Sequence, residues 1–70
     1  MVKVTAISNM DYNNHKAVVS LMADTKSDVT SDMNVIGLPT GFTIDFGSSV
    51  LTTAGELAFM KSDGTWNWTS

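Results

Sequence analysis

The side chains in this sequence that could do acid–base, metal or nucleophilic chemistry are few and scattered. His15, in the stretch YNNHK, is the single histidine, and Asp11 is the carboxylate close to it. General acid–base catalysis needs a second group within hydrogen-bond reach. No Cys, Glu or second His lies near His15 in sequence, so it reads as a loop residue. Asp24, Asp28 and Asp32 recur every four residues. Carboxylates are hard oxygen ligands for calcium, but the alternating spacing and terminal Glu of an EF-hand loop are missing. Asp32, Asn34 and Gly37 also miss that pattern, and the stretch reads as a solvated polar loop. Glu56 is the only glutamate and could pair with Asp45 or Asp63 as acid and base. All three sit in turn-like segments without an evident cleft. Ser48 and Ser49 fall in GSSVLTTAG, which lacks the G-x-S-x-G nucleophile pattern. Gly37 and Gly41 are interrupted by Pro39 and do not form a dinucleotide loop. Asn67-Trp68-Thr69 matches a glycosylation sequon by three residues and is read as incidental. No enzyme, no metal site and no cofactor is expected.

The aromatic residues offer a different chemistry. Trp66, Trp68, Tyr12 and Phe59 have faces on which sugars or bases can stack. Single-strand platforms normally come with a positive groove. Here there are four Lys, no Arg and a net charge of -3, which leaves no cluster to neutralise phosphates. Nucleic acid is not an expected partner. Sugar stacking stays open as an alternative. Burial in the fold or in an oligomer accounts for the rings more simply, since aromatics supply much of the area in small cores and interfaces.

Seventy residues make one domain, 1–70. A chain this short buries roughly 60% of its unfolded surface, which leaves a marginal core. There is no Cys, so neither disulfides nor thiolate zinc can staple it. Charged residues are 16% of the chain, below the roughly 25% of an ordinary soluble domain. That deficit leaves weakly hydrated surface and suits a small β protein that gains part of its core from a partner. The apolar runs are only a few residues long, so no membrane span is expected. MVKVTAIS does not read as a secretory signal.

The elements that must position these residues are short strands. Residues 2–8 alternate, with Val2, Val4 and Ala6 on one face and Lys3, Thr5 and Ile7 on the other. Residues 9–15 have the Asn/Asp density of a loop. Residues 16–23 predict a second strand through the Val18-Val19 pair, with a short helix as the alternative. Residues 24–34 predict a polar loop. Phe42, Ile44 and Phe46 alternate with Thr43 and Asp45, as in a half-buried strand. Residues 46–68 predict a β-meander: strands at 48–53 and 56–61 flank Ala54-Gly55, and Ser62-Asp63-Gly64 turns into Trp66 and Trp68. Leu57 and Phe59 share one face, and Trp66 should lie near Phe59 or Met60. The fold class is therefore all-β, a small antiparallel meander of short strands completed by oligomerisation. The core or interface candidates are Phe42, Ile44, Phe46, Leu57, Phe59, Met60, Trp66 and Trp68.

Residues 35–68 also carry a resemblance. Leu38-Pro39, Gly47-Ser48-Ser49, Ala54-Gly55-Glu56, Leu57 through Met60, and Asp63-Gly64 followed by Trp66 form an ordered series. That series resembles segments of small head-fibre and tail-associated structural proteins of tailed bacteriophages. Many such proteins have Tyr in the strand before the turn, where this sequence has Phe59. The first 34 residues carry no such resemblance. The resemblance implies a non-enzymatic virion component that attaches to capsid or tail as a trimer or other homo-oligomer.

Overall fold

The computed structural model describes residues 1–30 and 33–69. Asp32, third in the aspartate series, lies outside the described residues. The chain forms β1 (Val2–Asp11), β2 (Lys16–Ala23), a 3-10 turn (Lys26–Asp28), β3 (Val35–Ile36), β4 (Thr43–Ile44), β5 (Ser49–Thr52), β6 (Leu57–Met60) and β7 (Trp66–Trp68). All seven strands belong to one sheet in the order β3-β1-β2-β5-β6-β7, with β4 paired to β2. The sheet is mostly antiparallel and open.

β1 and β2 make a long antiparallel hairpin. Its turn is closed by the Asp11 carboxylate, which accepts from the backbone N–H of Asn13 at 3.1 Å and of Asn14 at 3.2 Å. The Asn14 side-chain amide donates to it as well, at 2.8 Å. His15 completes the turn with a φ of 54°, in the left-handed region that non-glycine residues seldom occupy. Along β2 every second side chain is buried: Ala17, Val19, Leu21 and Ala23. Alternation and β-branching decide for the strand here over the helical alternative.

β1 departs from its expected alternation. Register shifts fall between Val4 and Ala6 and between Ile7 and Asn9. Each inserts a residue that re-aims the following side chains. Val2 is buried and Val4 half-buried, but Ala6 and Ile7 are both exposed.

The larger correction concerns topology. The expected antiparallel meander describes β5–β6–β7 alone. β2 and β5 run parallel, with Ser20 opposite Ser49 and Ala23 opposite Thr52. Parallel neighbours cannot be joined by a tight turn and need a crossover of a dozen or more residues. Residues 24–48 supply it. The segment read as a polar loop, 24–34, contains the 3-10 turn and places Val29 and Met33 against the core. Val35, Leu38 and Phe42 follow them onto the same core. The crossover therefore does the work a helix does in larger folds: it covers one face of the sheet. The core beneath it is Val2, Ala17, Val19, Leu21, Ala23, Val50 and Ala58, with Ser48 and Thr52 buried beside them.

β4 and β5 both run alongside β2, and the four residues between them oppose only two of β2. That surplus ends the strand expected to continue to Phe46. Phe46 lies in a turn and is 58% exposed, off the face it was expected to share with Phe42 and Ile44. The break leaves the Val19 N–H without a backbone acceptor in the ladder. The Ser48 hydroxyl fills that place: it accepts from Val19 N–H at 3.0 Å and donates to the Asp45 carbonyl at 2.8 Å.

Candidate functional site

The β6–β7 turn places the first tryptophan. Lys61 N–H donates to the Thr65 carbonyl at 2.8 Å, and Gly64 N–H to the Lys61 carbonyl at 2.9 Å. The Asp63 carboxylate accepts from the Thr65 hydroxyl at 2.6 Å and the Thr65 N–H at 3.0 Å. Gly64 takes a φ of 86°, which a residue with a Cβ would resist. With the turn fixed, Trp66 stands directly opposite Met60, and Trp68 opposite Ala58. Ala58 is fully buried, so the two indoles project from the core face. Both are half-buried.

The crossover meets them from the other side. Pro39 to Phe42 form a turn closed by Phe42 N–H on the Pro39 carbonyl at 3.1 Å. The Phe42 ring is met edge-on by Tyr12, centroids 5.7 Å apart, and by His15 at 5.6 Å. Thr43 N–H then donates to the His15 carbonyl at 2.9 Å, which ties the end of the crossover to the hairpin turn. Between crossover and sheet lies a cavity of about 470 Å³, walled mainly by Met33, Leu38, Phe42, Ile44, Met60 and Trp66. Thr30, Asn34 and Thr43 also line it, and none of its described lining residues is charged. Its volume is within the range of small-ligand pockets, roughly 300–1,000 Å³.

The candidates from the sequence thus divide between places. Phe42, Ile44, Met60 and Trp66 converge on the cavity. Trp68 lies beside it on the core face, with the Lys26 ammonium 4.9 Å from its ring. Leu57 and Phe59 point to the opposite face of the sheet, where Leu57 is opposite Leu51 and Phe59 opposite Ser49. Leu38 and Met33 escape a sequence reading because they sit in segments dominated by turn and polar residues. The only local signal is Pro39, which holds Leu38 extended.

The polar candidates do not gather. Glu56 accepts from the Thr52 hydroxyl at 3.3 Å in the β5–β6 turn, while Asp63 is bound to Thr65 in the β6–β7 turn. β6 lies between them, so the carboxylates sit at opposite ends of a strand. Asp45 accepts from its neighbour Phe46 N–H at 2.9 Å. Asp24 and Asp28 both face the Met1 ammonium, at 3.3 and 2.7 Å. Among the described residues there is no group of three or more metal-ligating side chains.

Three carboxyls give the fold a pH dependence. Asp11 is held below the ordinary 3.8 first by the Asn14 side chain, Asp28 first by the Met1 ammonium, and Asp63 first by the Thr65 hydroxyl. A carboxyl lowered in the folded state stabilises it above the unfolded value and loses that contribution as pH falls through the folded one. The melting temperature should stay level from neutral pH down to about pH 4 and drop below it. Asp63→Asn keeps an acceptor for Thr65 and removes one titrating group, so its decline should be shallower than the parent's. Melts at a series of pH values check this, and identical slopes for the two proteins would refute it.

No family model, curated protein or solved structure matches the chain.

Proposed function

We propose that the chain is a non-enzymatic structural protein of a virion, one that associates with copies of itself and attaches to a capsid or tail. The observation that supports this best is the sheet itself. It is open, covered by the crossover on one face only, and its other face leaves Leu51 and Phe59 40% and 45% exposed. A small chain without disulfides gains stability when a neighbour covers such surface. The likeness of residues 35–68 to head-fibre and tail-associated segments supplies the setting. Sedimentation equilibrium across the micromolar range tests the self-association. The expected result is a mass that rises with concentration above the 7.5 kDa of one chain. A single 7.5 kDa species throughout would sink it. Mass spectrometry of purified particles tests the setting, since a virion protein must be present in them.

The cavity favours a second reading: a small carbohydrate- or peptide-binding module. Trp66 offers a ring face, and an uncharged lining suits a neutral sugar or an apolar side chain. Tryptophan fluorescence separates the two. Iodide quenching that a glycan or peptide relieves would support the module. Quenching indifferent to ligand but relieved by raising protein concentration would support assembly.

A further inference from the structure

We infer that self-association runs through the uncovered sheet face, packed against the same face of a second copy about a two-fold axis, and not through the sheet edges. This rests on the self-association reading above. The face can be assembled from the register. Met22 is opposite Leu51, and Leu51 opposite Leu57. In the next row Ser20, Ser49, Phe59 and Asn67 are opposite one another in turn. All of these alternate with the buried Leu21, Val50 and Ala58, so they share the outer side.

Charge decides what can cover this face. From β2 across β5, β6 and β7, neither row contains a charged side chain. Lys3, opposite Met22, and the paired Asp11 and Lys16 stand at its β1 border, and Lys61, in phase with Leu57 and Phe59, stands at the end of β6. The described acids elsewhere, Asp24, Asp28, Asp45, Glu56 and Asp63, lie in turns and the crossover. A two-fold contact sets a surface against itself, so every charge near the axis meets its own kind. In a protein of net charge -3, the uncharged rows are the part of the sheet surface that meets itself without that penalty. The apolar row Met22, Leu51 and Leu57 and the Phe59 ring, with hydroxyl and amide groups beside them, are self-complementary in the same sense. A strongly acidic or basic partner would find no counter-charge there.

The edges are poorer templates. β1 is bordered by β3 at Val2 and Lys3 and is interrupted by two register shifts beyond them. The opposite edge, β7, is three residues long. Short and bulged edges resist strand addition. Two sheets stacked face to face at about 10 Å, by contrast, make the ordinary β-sandwich.

The test uses the full chain and four proteins: the parent, Phe59→Lys, Leu51→Lys and Ala54→Lys. Phe59 and Leu51 are already partly in solvent, so a lysine there leaves the core intact. Ala54 is exposed in the β5–β6 turn, away from the face, and controls for added charge. Circular dichroism at high dilution verifies that each is folded, and sedimentation measures association. The parent and Ala54→Lys should show a monomer–dimer equilibrium of equal strength. Phe59→Lys and Leu51→Lys should each weaken it by about tenfold or more, the cost of trapping an unpaired ammonium at the contact. A dimer indifferent to both substitutions, or a trimer, would overturn the face-to-face pair and leave self-association standing. A parent that stays monomeric would overturn both.

Discussion

Trp66→Ala is expected to bring the isolated chain to the edge of unfolding at room temperature. Trp66 walls the cavity, stands opposite Met60, and with Trp68 is one of the two rings through which β7 touches the core. Truncating a buried Trp costs about 3–5 kcal/mol, and the half-exposure of this one brings the expectation to about 2–3 kcal/mol. The Met60 sulfur beside an indole adds on the order of 0.3–1.5 kcal/mol to what is lost. Domains of this size rarely hold more than about 3–5 kcal/mol in total. Asn67 lies between the two tryptophans on the opposite face, and Asn67→Ala should melt close to the parent. Thermal melts of the three proteins at one concentration suffice. A Trp66→Ala melt within two or three degrees of the parent would remove the ring from the core and leave it as a free stacking surface.

Ser48→Ala should lower the melting temperature by roughly 4–24 °C, although it deletes a single oxygen atom. Ser48 is fully buried, and its hydroxyl is the acceptor for Val19 N–H. Without it that donor is enclosed in the core with no partner, at a cost of about 1–3 kcal/mol. In a domain of this length each kcal/mol is worth about 4–8 °C. Ser49→Ala is the matched control, since Ser49 faces the outer side. Equal melts for the two alanine variants would show that the bridge from Ser48 is not needed. Hydrogen exchange gives an independent reading, because the Val19 amide should lose protection selectively in Ser48→Ala.

What the sequence made legible was local. Lys16–Ala23 could be read as a strand because its alternation is unbroken, and each odd position is buried. That Trp66 meets β6 near Phe59 or Met60 followed from a short turn around Gly64, and the pairing selects Met60, since Phe59 stands opposite Asn67 on the other face. Reading failed where non-local geometry overrides a local pattern. Phe46 continues the period of Phe42 and Ile44, but the insertion between β4 and β5 takes it off that face. Asp11 looked like one polar residue among several, yet three hydrogen bonds from Asn13 and Asn14 make it the lock of the hairpin. Ser48 looked like a turn serine, and nothing in its neighbours tells that an amide 29 positions away requires it. The cavity was half legible for the same reason. Its sheet-side wall has strand periodicity, whereas Met33 and Leu38 reach it only because the crossover folds back.

The parallel join between β2 and β5 also governs how the fold comes about in time. The β1–β2 hairpin and the β5–β7 meander are each local and can pair without the other. Their union must bring Val19 to Ser48 across 29 positions, after a loop-closure loss that grows with the logarithm of the span. Non-local contacts of this kind delay the crossing of the barrier. Until it is crossed, Leu21 and Val50 lie on two separate ribbons with no common cover. The newly made chain is therefore expected to be most adhesive to its neighbours before this step, while the surface that the crossover covers in the finished fold is still open.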